Sequence, residues 1–315
     1  MNDHLQPHDE DWVAYFVGRG HSDPQPLAAG VEGAVYRLGN GVVAKVWSGR
    51  GRTLDALSLI RQVYADIRRH PLPFATPQIL ATEEHNGTLV TYERELPGAP
   101  LRDDAGNPPP ARRLPAYETD ALLTVLRGLA SVPGSSAMRR LTVRGDDRPL
   151  WEGHTRFPDA LAALLLRAVH RNGGALEASV PGLAGLLERT TQALHALPTP
   201  PVAALHGDLV PSNIHVDEAG RPVAVLDFGF FTTAGDPAFE AAVTAAIWDM
   251  YGPDAERHTA ELTSLFATSL GHEEEVLTLY QAAYAMATYD LFGPDESDGH
   301  FRWCAALLNR ALSGH

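Results

Sequence analysis

Two hydrophobic periods divide this chain, and they do not mix. Short apolar runs crowd the first 95 residues, at 35–38, 42–47, 78–83 and 88–93. One helical stretch lies among them at 54–67, where Leu54, Leu57, Ile60 and Tyr64 recur at helical spacing. Gly39-Asn40-Gly41 and His85-Asn86-Gly87 separate the strands in pairs, and Gly and Asn are the residues that hairpin turns need. Pro71, Pro73 and Pro77 stop the helix. After Leu96-Pro97-Gly98 the period becomes helical, at 118–130, 158–171, 181–197, 237–248, 255–269, 273–288 and 301–312. A Pro/Gly/Arg-rich loop at 103–115, a polar connection at 131–152 and one short β-like segment at 214–228 interrupt it. Strands segregated in this way predict an α+β chain. It has a small β-rich lobe with one helix at 1–96, a hinge, and a larger, mainly helical lobe at 97–315. Residues 1–26 form an N-terminal extension with a short helix near 12–17.

A chain of 315 residues buries a sizeable core without covalent staples. Its single cysteine, Cys304, forms no internal disulfide and rules out sites that need several thiolates. No apolar run nears the roughly 20 residues of a membrane span. The polar, acidic start lacks the marks of a signal peptide, so the cytoplasm is the expected address and a membrane is not an expected partner. The net charge is −14, and it is uneven: −3 over 1–96, +2 over 97–205 and −13 over 206–315. A nucleic-acid partner would call for a basic face, so none is expected. The acidic last third either aids solubility or steers a cationic ligand, and composition alone favours solubility. Of the 25 basic residues, 24 are arginine and one is Lys45. Where any positive charge suffices, arginine serves. A lone lysine marks a place where a compact ammonium does what the planar guanidinium cannot.

The chemistry-bearing residues fall in order along the chain. Gly30 and Gly33 lie in a turn between strands, where the missing Cβ lets backbone approach phosphate oxygens. Lys45 follows on the next hairpin strand, and an ammonium on a rigid strand facing such a turn is a phosphate clamp. Far downstream comes His206-Gly207-Asp208-Leu209-Val210-Pro211-Ser212-Asn213, then Asp227-Phe228-Gly229 after a small hairpin. The Asn213 amide oxygen and the Asp227 carboxylate are hard donors of the kind Mg²⁺ takes while it keeps several waters. Asp208 is left to orient a hydroxyl and accept its proton. His206 reads as a structural histidine, because Asp208 already supplies the base. Asp290, Asp295, Glu296 and Asp298 read as a solvated loop.

Together these motifs resemble the aminoglycoside phosphotransferase and choline kinase-like family, which shares the two-lobed protein kinase-like fold. The match rests on His-Gly-Asp-x-x-x-x-Asn, on Asp227, and on Gly235-Asp236-Pro237-Ala238-Phe239-Glu240. It runs from about Leu27 to the last helices, with 97–201 unmatched in detail. The resemblance implies ATP or GTP as phosphoryl donor, with Mg²⁺. It implies Lys45 on the phosphates, Gly30 and Gly33 above them, and the adenine edge at Glu93, Arg94 and Leu96. It implies Asp208 as catalytic base, Asn213 and Asp227 as metal ligands, and Asp236 as a brace for the loop near His206. Two positions depart from the family: Ala28 stands at the first glycine of the turn, and Gln62 stands where the helix should pair a glutamate with Lys45. The expected acceptor is a small, hydroxylated, cationic molecule of the aminoglycoside antibiotic type, acted on by a monomer or weak dimer. A metabolic kinase for an amino sugar or amino alcohol is the alternative. A nucleotide-binding pseudokinase is the third reading, motivated by Gln62.

Overall fold

The protein's structure is a computed structural model that describes residues 11–30, 33–48, 53–102, 112–143, 146–293 and 295–313. Val31 and Glu32 of the Gly-bearing turn, residues 1–10, and 103–111 of the Pro-rich loop lie outside the described residues. Two compact units divide the chain: Met1–Pro71 with Ala75–Pro97, and Leu72–Phe74 with Gly98–His315.

The first unit opens with α1 (Trp12–Gly18), whose first turn is capped by the Asp11 carboxylate accepting from the Ala14 N–H at 3.0 Å. Next come β1 (Gln25–Gly30), β2 (Gly33–Gly39) and β3 (Val42–Trp47). Then α2 (Leu54–Arg68), capped by Thr53, leads to β4 (Ile79–His85) and β5 (Thr88–Arg94). The strands form one antiparallel sheet in the order β1-β2-β3-β5-β4. Asn40 and Asn86 sit at positive φ beside glycines, which is why those turn compositions were legible. Alternation along β3 gives the sheet two faces. Ala44 and Val46 pack with Val90 against Trp12 and Phe16 of α1. Trp47 points the other way, onto Leu57 and Ile60 of α2 and Leu89 of β5.

Polar contacts reinforce the α1 side. The Tyr15 hydroxyl donates to Glu83 at 2.6 Å, Tyr92 donates to the same oxygen, and Arg19 reaches Glu83 at 3.1 Å. Tyr15→Phe removes one of these bonds from a half-exposed site. It is expected to lower unfolding free energy by about 0.5–1 kcal/mol in urea titration; an unchanged midpoint would contradict the tether.

The second unit begins with β6 (Ala99–Pro100), α3 (Ala116–Ala130), α4 (Ser136–Arg139), α5 (Phe157–Ser179) and α6 (Leu183–Ala196). Short strands β7 (Ala203–Leu205), β8 (Ile214–Val216), β9 (Pro222–Val225) and β10 (Thr233–Gly235) follow. The chain closes with α7 (Pro237–Ile247), α8 (Ala255–Leu270), α9 (Glu274–Thr288) and α10 (Gly299–Ser313). β6-β8-β9 and β7-β10 are two small sheets. α7 is buried at every position from Ala238 to Ile247 and has one charged residue, Glu240. A helix apolar on all sides belongs in the centre of its unit.

The second unit departs from expectation in two places. The helix predicted to end at Arg171 breaks its geometry at Asn172 but resumes through Ser179. The connection at 131–152 is packed: Val132, Met138, Val143, Leu150 and Trp151 are buried, and the Trp151 indole donates to the Ala234 carbonyl at 2.8 Å. Among the described residues no helix is long and apolar enough to cross a membrane.

Candidate active site

In the first unit, Lys45 stands at the middle of β3, half-buried, paired with Val35 of β2 and Thr91 of β5. Its ammonium lies 4.2 Å from the centroid of the Trp47 ring. Gly30 and Gly33 pair at the mouth of the β1–β2 turn. Gly33 has φ +142°, and a side chain there would drive into the Val46 carbonyl, so only glycine closes this turn. Gly30 is exposed with open space around it. Glu93, next to last in β5, is half-buried and accepts from the Thr91 hydroxyl at 2.8 Å. Arg94 is exposed and its backbone N–H donates to the Gln78 carbonyl at 3.0 Å; Leu96 is half-buried beyond the strand. Gln62 is exposed on α2.

In the second unit, the loop from His206 to Asn213 is held from several sides. His206 is fully buried. Its Nε2 donates to the Leu226 carbonyl at 2.7 Å, and its Nδ1 accepts the Asp208 N–H at 3.2 Å. Burial pushes this imidazole down to about 4, so it stays neutral and fixes backbone rather than moving protons. Gly207, at φ +75°, lies against the backbone of Phe231. The His206 carbonyl accepts from the Thr232 hydroxyl at 2.7 Å and the Gly229 N–H at 3.2 Å. Gly229 itself presses on the side chain of Asp208, where no Cβ would fit. The Asp227-Phe228-Gly229 turn therefore sets the orientation of Asp208, which is half-buried.

The Asn213 side-chain nitrogen donates to the Asp208 carbonyl at 2.9 Å. That commits the nitrogen to the loop and leaves Oδ1 as the donor a cation can use. The Asn213 carbonyl accepts the Leu226 N–H at 2.8 Å, which brings Asp227 next to it in the chain. Asp227 is exposed and adopts a left-handed backbone, φ +46°, a conformation of the kind seen at ligand clamps. Among the described residues no group of three or more His, Cys, Asp or Glu is arranged for a metal ion. One amide oxygen and one carboxylate suit Mg²⁺, which completes its shell with water and phosphate.

The brace for this loop is Glu240, and this corrects the expectation placed on Asp236. Glu240 accepts the His206 N–H at 2.6 Å and the Gly207 N–H at 3.0 Å from inside α7. Burial pushes its carboxyl up to about 7, against the two backbone bonds that favour the charge. Asp236 instead caps α7, accepting the Ala238 N–H at 2.9 Å, and takes the Tyr280 hydroxyl at 2.8 Å. A lone acid in an otherwise apolar helical run was the sequence signal for Glu240.

Comparison with known proteins fits this arrangement. No curated protein matches the chain significantly in sequence. Among solved structures, it is similar to macrolide 2'-phosphotransferase MphH from Brachybacterium faecium, with TM-score 0.59, 20% identity and coverage of 95% of this chain and 98% of that one. It is also similar to aminoglycoside phosphotransferase APH(3'')-Id from Streptomyces rimosus in complex with ADP and streptomycin, at TM-score 0.56 and 17% identity over 89% and 99% of the two chains. A third is the ethanolamine kinase of Plasmodium vivax, at TM-score 0.53 and 11% identity over 92% and 81%. These likenesses establish the fold as protein kinase-like. Residues 23–273 match the model of the phosphotransferase enzyme family, and the chain belongs to that family.

Proposed function

We propose that this phosphotransferase moves the γ-phosphoryl group of ATP or GTP to a hydroxyl of a small cationic molecule of the aminoglycoside antibiotic type. The observation that carries the reading is the fixing of Asp208 by Gly229 behind its side chain and by the Asn213 amide on its carbonyl. A carboxylate so held can receive an acceptor hydroxyl, orient its oxygen toward phosphorus and take its proton as the new O–P bond forms. Lys45 binds phosphate oxygens, Gly30 and Gly33 offer backbone to them, and Glu93, Arg94 and Leu96 face the adenine edge. Asn213 Oδ1 and the Asp227 carboxylate would hold Mg²⁺. When bound, Mg²⁺ would offset the charge on the transferring phosphate. Glu240 is a positioning residue that keeps the 206–208 backbone in place.

The cationic acceptor is supported by the charge of the second unit, where residues 206–315 carry a net −13. Asp290, Asp295, Glu296 and Asp298 line the stretch that joins α9 to α10. A net charge of this size would draw a polycation toward the second unit.

The test is ADP release with Mg·ATP and Mg·GTP across aminoglycosides, basic peptide antibiotics, amino sugars and amino alcohols. A polycationic hit should lose about tenfold in kcat/KM between about 0.01 M and 0.3 M ionic strength. A flat salt profile would remove the steering argument. Turnover confined to amino alcohols would favour the metabolic kinase, in keeping with the likeness to ethanolamine kinase. Nucleotide binding with no acceptor-dependent release would favour a pseudokinase.

A further inference from the structure

We propose that Trp47 is a positioning residue that presents the Lys45 ammonium to the nucleotide phosphates, an inference resting on the reading of Lys45 as their ligand. Lys45 and Trp47 are two apart on β3, so both project from the α2 side of the sheet. The ammonium lies 4.2 Å from the indole centroid, well inside the ~6 Å reach of a cation–π contact. The ring is only 7% exposed, so water does not dilute the attraction.

The indole is itself fixed. Its Nε1–H donates to the Thr91 hydroxyl at 3.1 Å, and that hydroxyl donates onward to Glu93 at 2.8 Å. Thr91 is fully buried and sits directly across from Lys45 in the β3–β5 register. Leu57, Ile60 and Leu89 pack against the ring. The chain Trp47 to Thr91 to Glu93 therefore sets the plane over which the ammonium rests. A four-carbon lysine stem is costly to order, and a fixed aromatic face removes much of that cost before nucleotide binds.

Lys45 is the only lysine in the chain, which makes the proposal directly observable. Protein labelled with ¹³C-lysine gives one lysine side-chain spin system. Its Hε protons should resonate upfield of the free-lysine position because of the indole ring current. In Trp47→Leu they should return to that position, and in Trp47→Phe they should fall between. Adding Mg·ATP should move the wild-type signal. A wild-type resonance at the free-lysine position overturns the Trp47 contact. An upfield resonance that Mg·ATP leaves unmoved overturns the phosphate reading of Lys45, and the role of Trp47 with it.

Kinetics give the second readout. Nucleotide KM should rise about threefold in Trp47→Phe and about tenfold in Trp47→Leu, with kcat and acceptor KM changing less than about twofold. Thr91→Val keeps the shape but removes the indole's acceptor, and should raise nucleotide KM about twofold. A purely structural ring would lower the melting temperature of these variants and leave nucleotide KM unmoved, which would overturn the proposal. Trp47→Phe retains most of the packing and keeps the test open if Trp47→Leu does not fold.

Discussion

Asp208→Asn is expected to reduce turnover about a thousandfold while leaving nucleotide affinity within about twofold of the parent. Asparagine matches aspartate in size, so Gly229 can still lie against its Cβ and the loop need not move. What is lost is the ability to take a proton from the acceptor hydroxyl. Lys45, Asn213 and Asp227 are untouched, so binding of Mg·ATP persists. Single-turnover transfer and nucleotide titration on the same sample separate the two effects. A variant that keeps parental turnover would show that another group receives the proton.

Glu240→Ala is expected to be the most destabilising single change near the site. It strips the acceptor from the His206 and Gly207 N–H groups, both in buried residues. Each orphaned amide costs about 1–3 kcal/mol, so the loss is about 4 kcal/mol, and the loop that carries Asp208 loosens with it. Urea denaturation measures the first effect and kcat the second. Intact stability in this variant would mean that the loop is held elsewhere.

Glu240→Gln tests the electrostatics at that position. Burial raises the Glu240 carboxyl from 4.5 to about 7. The folded state then binds more protons than the unfolded state across that window. Its contribution to stability is complete below about pH 4.5 and is lost as pH rises through about 7. The neighbouring His206 acts in the opposite sense, because burial lowers it from 6.5 to about 4. Its contribution is complete above about pH 6.5 and is lost as pH falls through about 4. The two slopes nearly cancel in the parent. Removing the Glu240 titration should make the variant's stability relative to the parent rise by about 3 kcal/mol from pH 4.5 to 7.5. A gap that is constant with pH would contradict the buried, proton-binding carboxyl.

Much of the first unit could be read locally because its strands are closed by Asn-Gly turns and its apolar residues alternate. Lys45, Asp208, Asn213 and Asp227 could be nominated as a set in the same way, since their order and spacing along the chain are local properties. The choice between Asp236 and Glu240 could not be read that way. Both are acids on one run, four apart, one at the N-cap of α7 and the other one turn inside it. Which of them meets the His206 and Gly207 amides depends on how α7 docks beneath the loop. The three-residue β10 and two-residue β6 are equally silent in sequence, because strands so short exist only through their partners Ala203–Leu205 and β8.

The sequence by itself determined the order of elements and the segregation of strands from helices, and it nominated the groups proposed to react. Those are properties of neighbours along the chain: turn dihedrals, side-chain period, and the donor chemistry of each residue. Only the tertiary structure decided what holds those groups in place. Glu240 under the loop, Gly229 behind Asp208 and the indole beside Lys45 are contacts across 34, 21 and two positions, and of these only the last is local. Even that one takes its meaning from Thr91, 44 residues away, which fixes the ring. Burial gives such contacts their energy, since an amide or an ammonium out of water depends on the one partner that packing provides.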